Sequence, residues 1–425
     1  MSEERLVPKL RFNGFDEEWI KTNLGNISSN EMYGMNSAAK EYDGFNKYIR
    51  ITDISETSNK FVPNPLTSPD GELEAKYQLQ EGDLVFARTG ASTGKTYLYD
   101  KNDGNLYFAG FLIKFHIDKA VPKFIFYNTL KEEYLNWVSV MSVRSGQPGI
   151  NSTEYQKFPL YLPSLDEQNK ISNFLSKIDE KIELLENKHQ YYQDFKKYLM
   201  QQIFAQKLRF KINSSYTNYK LKDIVTKFST GLNPRKNFKL NEGGENYYVT
   251  IKNFQNGILN LDDKCDKIDD NALKLINKRS DLQKDDLIFA SIGRVGEVYL
   301  IKNNPLNWNI NESVFSLRPN KQFIEPKFLY YLLNSNKIKN YFESNITGST
   351  FKSIKMKDLK NTPVTIPDSF ELQNEIVKLL SSVDSKIFFI ENEFTDIKKF
   401  KKGLLQQMFV FLISSILFLI VYLFR

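Results

Sequence analysis

The 425-residue sequence has a single cysteine, Cys265, so it can form no internal disulfide, and this usage fits a reducing compartment. Two histidines, His116 and His189, leave too few soft ligands for an ordinary zinc site. Neither charge sign dominates: 58 Lys+Arg stand against 51 Asp+Glu, a formal +7 that suits a polyanionic partner without requiring one. The opening Met-Ser-Glu-Glu-Arg is followed by no apolar core, so no secretory signal is read there. Long apolar runs are missing until residues 409–424, sixteen apolar, Ser or Tyr residues. As a helix that run would span roughly 24 Å, short of a ~30 Å hydrocarbon core, so a membrane partner is not expected.

Signatures of catalysis are missing as well. Thr89-Gly90-Ala91-Ser92-Thr93-Gly94-Lys95-Thr96 resembles a phosphate-cradling loop, but three residues separate its glycines where four are needed. The corresponding loop later in the chain, Gly293-Arg294-Val295-Gly296-Glu297, lacks the lysine. Asp70, Glu74 and Lys76 are the residue types of a metal-dependent nuclease, yet they lie together in one Pro/Gly/Asp-rich segment rather than on neighbouring strands, and read as a solvated loop. No Asn-Pro-Pro-Tyr, Asp-Pro-Pro-Tyr or Gly-x-Ser-x-Gly run occurs. No catalytic residue, metal, cofactor or small-molecule substrate is assigned.

What is present is a duplication with a period of about 200 residues. Lys9-Leu10-Arg11-Phe12 recurs as Lys207-Leu208-Arg209-Phe210, and Asn46-Lys47-Tyr48-Ile49 as Asn246-Tyr247-Tyr248-Val249. Gly82-Asp83-Leu84-Val85-Phe86-Ala87 returns as Asp285-Asp286-Leu287-Ile288-Phe289-Ala290, each running into a glycine-punctuated loop. Pro122-Lys123-Phe124 matches Pro326-Lys327-Phe328, and Ser145-Gly146 matches Thr347-Gly348 ahead of an apolar strand ending in Leu162-Pro163 or Ile366-Pro367. The matches are mostly apolar scaffold positions, while polar residues differ, which points to two related domains with unlike targets.

Each repeat closes with a long amphipathic helix. Ile171, Ile178, Leu185, Tyr192 and Leu199 recur every seven residues in the first, and Ile376, Val383, Ile390, Ile397 and Leu404 in the second, a coiled-coil seam of about five heptads. Because the chain passes through the second domain between them, antiparallel pairing is expected, giving a rod of roughly 50 Å. Lys196 and Lys401 fall on the inner ladder, and His189 takes the place of Phe394. These polar positions read either as snorkelling side chains or as registry control.

Two repeats, Pro8-Lys9-Leu10-Arg11-Phe12 with Phe15 and Trp19, Leu-Pro or Ile-Pro before an Asp166-Glu167-Gln168 or Glu371-Leu372-Gln373 helix start, and Gln-Gln-Ile/Met-Phe helix ends form a combination. It resembles the specificity subunit of type I restriction-modification systems, over essentially residues 1–409. The resemblance implies an α+β chain with two homologous globular α/β target-recognition domains separated by two long antiparallel coiled-coil helices. Its expected parts are domain 1 (1–164), spacer helix 1 (165–207), domain 2 (208–369), spacer helix 2 (370–409) and an atypical apolar tail (410–425). It implies a cytoplasmic, non-catalytic subunit that reads an asymmetric bipartite site in double-stranded DNA. Methyltransferase (modification) subunits, typically two, would dock on the helices, and restriction subunits would join through them.

A self-contained nuclease or methyltransferase is the alternative, and a scaffold without a DNA role is a third. For the tail, an altered or naturally variable C-terminus, packing against a partner and membrane attachment all stay open. Chemistry alone nominates DNA contacts, since glycine loops admit phosphates and Arg, Lys, Gln and Ser reach base edges or phosphates. These are Arg88, Thr89, Ser92 and Lys95 with Arg144, Ser145 and Gln147 in the first repeat, and Ser291, Arg294, Thr347, Ser349, Thr350 and Lys352 in the second.

Overall fold

The computed structural model describes residues 6–143, 146–212, 214–235, 237–345 and 352–410. The chain divides into two compact units, residues 1–186 with 392–425 and residues 187–391. The division cuts both long helices, Leu165–Phe204 and Phe370–Gln407, near their middles. Among the described residues no helix is long and apolar enough to cross a membrane.

In unit 1 a four-stranded antiparallel sheet has the order Ser28–Tyr33, Leu112–Ile117, Asp83–Ala87, Thr96–Leu98. Side chains alternate across a strand, and here both faces are covered, which is why Leu84-Val85-Phe86-Ala87 is apolar without a break. Leu84 and Phe86 pack against Phe124, Tyr134, Trp137 and Tyr155. Val85 and Ala87 pack on the opposite face with Ile49, Leu106 and Phe108. These last residues belong to a parallel pair, Lys47–Ile49 with Leu106–Phe108. Ile20–Asn23 pairs antiparallel with Pro159–Leu162, returning the chain to the start of the first long helix.

Unit 2 repeats the plan. Its sheet runs Val225–Thr230, Val314–Pro319, Leu287–Ala290, Val298–Leu300, and its parallel pair is Asn246–Val249 with Trp308–Ile310. Leu287 and Phe289 face one core, and Ile288 and Ala290 the other. The plans diverge around the first parallel strand. In unit 1 it is flanked by the paired strands Ala39–Glu41 and Thr67–Pro69, whereas in unit 2 it is followed by a hairpin, Phe254–Gln255 and Ile258–Leu259, a strand Asp266–Ile268 and a helix Asp270–Ser280.

The glutamine in each helix-start motif has a defined task. Gln168 and Gln373 are 2% and 0% exposed. The amide oxygen of Gln168 accepts from the Val121 N–H at 2.9 Å and its nitrogen donates to the Pro163 carbonyl at 2.9 Å. Gln373 does the same with Glu325 N–H at 2.8 Å and the Pro367 carbonyl at 3.0 Å. Each glutamine thus satisfies backbone groups that burial would otherwise leave unpaired, and ties a helix start to its own globular part.

The helices pair antiparallel. In unit 1, Asp179 meets Lys401 and Lys181 meets Glu393, so numbers rise along one helix as they fall along the other. In unit 2, Lys196 meets Asp384. The seam residues Ile171, Ile178, Leu185, Leu199, Ile376, Val383, Ile390 and Leu404 are buried, and Ile397 is half-buried.

Candidate nucleic-acid interface

In both units the glycine loop is the connection between the third and fourth sheet strands, and a second loop is hydrogen-bonded along its edge. In unit 1, Gly90 N–H donates to the Pro148 carbonyl at 2.9 Å, Ile150 N–H to the Arg88 carbonyl at 3.0 Å, and Thr89 bridges to Gly149. In unit 2, Gly293 N–H donates to the Lys352 carbonyl at 2.9 Å, Ile354 N–H to the Ser291 carbonyl at 2.9 Å, and Ile292 bridges to Ser353. Two segments more than fifty residues apart in sequence thereby become one surface, twice.

The loop is held from below. Gly94 has a φ of +90°, and a Cβ there would lie 2.6 Å from Val138, so only glycine fits. Tyr134 donates to the Gly94 carbonyl at 2.8 Å and Tyr155 to the Ala87 carbonyl at 2.7 Å. Burial pushes both phenols above their ordinary range, so both remain donors. The turn Gly90–Ser92 is a single 3-10 turn rather than a phosphate cradle feeding a helix.

The nominated residues fall into distinct environments. Gln147 is exposed, with its amide nitrogen over Gly90, 2.8 Å from where a Cβ would stand. Thr89 and Ser92 are partly exposed, and Lys352 is exposed. Lys95 lies beside Glu56. Ser291 is buried and donates to the Ser313 carbonyl at 2.7 Å. Arg294 donates to the carbonyls of Ile251 and Phe254, which ties the loop to the unit 2 hairpin. Arg144, Ser145, Thr347, Ser349 and Thr350 lie outside the described residues.

Arg88 is clamped. Its Nε donates to the Gly110 carbonyl at 3.0 Å, and its guanidinium carbon lies 4.9 Å from the Tyr33 ring centre and 5.9 Å from that of Phe111. Gly34 permits this arrangement, because a Cβ at that position would stand 2.3 Å from the Ala109 carbonyl oxygen. Tyr33 and Phe111 were missed by sequence reasoning. They lie 55 and 23 residues from Arg88, and no local pattern links them to it.

Other chemistry finds no support in the geometry. Asp70 faces Lys40 at 3.8 Å and Glu74 faces Lys76 at 2.6 Å, all four exposed, so the nuclease-like residue types do not converge. Among the described residues no group of three or more His, Cys, Asp or Glu is placed to hold a metal ion.

A family model for the type I restriction modification DNA specificity domain matches the chain twice, over residues 17–191 and 213–399. A putative type I restriction enzyme MjaX specificity subunit from Methanocaldococcus jannaschii is 32% identical over 128 residues, 29% of this chain and 30% of that protein. The type I restriction enzyme EcoBI specificity subunit of Escherichia coli is 29% identical over 134 residues, 30% of this chain and 28% of that one. The aligned regions therefore span less than a third of either curated relative. In fold the chain is similar to the S subunit of a type I restriction-modification system from M. genitalium, with a TM-score of 0.59 at 18% identity, over 96% of this chain and all of that one. A second structure, from work on complex assembly and conformational transition of the type I R-M system, covers 93% of this chain at 17% identity with a TM-score of 0.55. With one family model matched on each of two halves that share a strand order and a loop pair, the chain belongs to the type I restriction-modification DNA specificity family.

Proposed function

We propose that the chain is the DNA-recognition subunit of a type I restriction-modification complex, with each unit reading one half of an asymmetric bipartite target. The observation that carries this reading is the paired loop surface, built on the same strand order in both units but presenting different side chains. Arg88, Thr89, Ser92 and Gln147 are offered in unit 1, and Lys352 in unit 2. Lys95, Ser291 and Arg294 shape the loops through the internal contacts described above, and Arg144, Ser145, Thr347, Ser349 and Thr350 complete the proposed contact set. Equal scaffolds with unlike contacts suit two unlike half-sites.

Methylation and cleavage are assigned to separate cytoplasmic partners. Leu184, Tyr191 and Tyr198, spaced by seven on the first long helix, are exposed, as are Phe388, Phe389 and Phe400 on the second. Exposed apolar residues at helical spacing suit a protein partner, here modification subunits, typically two, through which restriction subunits would join.

The test is methylation mapping in a host without its own adenine methylation, expressing the chain with its modification subunits. A split motif with two defined halves and a set gap is expected, and exchanging residues 1–164 for those of a relative should alter one half only. Modification at a continuous site, or modification that persists without this chain, would overturn the proposal.

A further inference from the structure

We propose that Arg88 reads a guanine in the half-site addressed by unit 1, through Nη groups pre-aimed by the Tyr33–Phe111 clamp. The inference rests on the DNA-recognition reading above and adds a base and a residue to it. With Nε committed to the Gly110 carbonyl and the guanidinium held between two rings, the side chain has little freedom left. Among the described residues neither Nη atom has a hydrogen-bond partner, so their donors are available together along one edge of a rigid plane. Tyr33 and Phe111 are 41% and 56% exposed, so the clamp stands at the surface rather than in the core. Tyr33 is anchored in turn, its hydroxyl accepting at 3.2 Å from the N–H of Ser152, the first residue of the short helix Ser152–Gln156.

Unit 2 supplies an internal control. Arg88 N–H donates to the Phe111 carbonyl at 3.0 Å, and at the matching place Ser291 N–H donates to the Ser313 carbonyl at 3.1 Å. The backbone scheme is the same, yet Tyr33, Arg88 and Phe111 are replaced together by Thr230, Ser291 and Ser313. A fold that closes equally well without the clamp does not require it for stability. Two donors on one rigid edge match the two acceptors of guanine, O6 and N7, in the major groove. Adenine, by contrast, offers one acceptor and one donor, cytosine a donor, and thymine an acceptor and a methyl group. A phosphate can take the same paired donors, but a phosphate contact carries no sequence information, so the methylated motif separates the two.

The experiment uses the full chain with its modification subunits, maps the methylated motif, and compares methylation rates on duplexes altered at single positions. Arg88→Gln is expected to relax one G·C pair in the half-site that residues 1–164 specify, lowering discrimination there by roughly 5- to 150-fold, with the other half and the gap unchanged. Phe111→Ser installs the unit 2 residue and keeps Arg88, so it should weaken discrimination at that same pair and nowhere else. Uniformly slower methylation with an unchanged motif would overturn the inference in favour of a phosphate or purely structural role. Relaxation at an A·T pair, or in the other half, would also overturn it. A wild-type complex that yields no split motif instead overturns the recognition reading itself, which separates the two failures.

Discussion

Lys131 has its ammonium inside unit 1, 7% exposed, 5.1 Å from the Phe409 ring centre and 3.4 Å from the side-chain oxygen of Asn128. Burial brings its pKa down to about 8, while the carboxylate of Glu133 works the other way. The unfolded chain therefore binds more protons than the folded one between about 8 and the ordinary lysine value of ~10.4. It follows that the burial penalty is fully present below pH 8 and is relieved as the pH rises through that interval. Lys131→Met should raise stability at pH 7 by about 2 kcal/mol, with the gain shrinking toward pH 10. Urea unfolding at both pH values, followed at Trp19 and Trp137 in a Trp308→Phe background, checks this; a gain independent of pH would refute the ionisation argument. The matching position in unit 2 is Ser335, so no charge is buried there.

At the scale of elements, the two lysines on the helix seam prove to be halves of matching clusters. Lys401 meets Asp179, which accepts from Tyr127 at 2.8 Å, and its ammonium lies 5.4 Å from the Tyr127 ring centre. Lys196 meets Asp384, which accepts from Tyr331 at 2.5 Å, with 5.8 Å to that ring. Each cluster joins both helices to a helix of its own globular part, so the seam lysines are paired rather than snorkelling. Burial first, and the aspartate second, push both phenols up, so both remain donors. A double-mutant cycle of Lys401→Met and Asp179→Asn should give a coupling of about 1 kcal/mol, because each single change leaves a half-buried partner unmatched. Additive effects in urea unfolding would show that the pair contributes no coupling. Tyr127 and Tyr331, Ser176 and Ser381, and Asp179 and Asp384 sit at matching places in the repeats, so alignment of the halves could have flagged the clusters.

For the whole molecule, the last stretch of the second helix belongs to unit 1. Leu404, Leu405, Met408 and Phe409 are buried there among Trp19, Phe124, Ile171, Leu175 and Ile178. A chain ending at residue 391 should therefore lose hydrogen-exchange protection across residues 6–186, while residues 187–391 retain theirs, since unit 2 keeps all of its own core. Equal protection in the truncated and full chains would contradict this division of the core.

The sequence alone was enough for the duplication and the two amphipathic helices, because these are carried by repeated and periodic apolar positions that local geometry demands, while the mixed α/β character of each repeat came with the family resemblance. It also located the glycine loops, since left-handed turns write themselves as glycine. Only tertiary structure decided what the polar residues at those loops do. Arg88 and Arg294 look alike in the chain, yet one is clamped at the surface between rings from distant segments, and the other turns inward to backbone carbonyls of a hairpin that unit 1 lacks. Ring and hydrogen-bond partners brought from 22 to 55 residues away leave no local periodicity to read, which is why the scaffold was legible and the contacts were not.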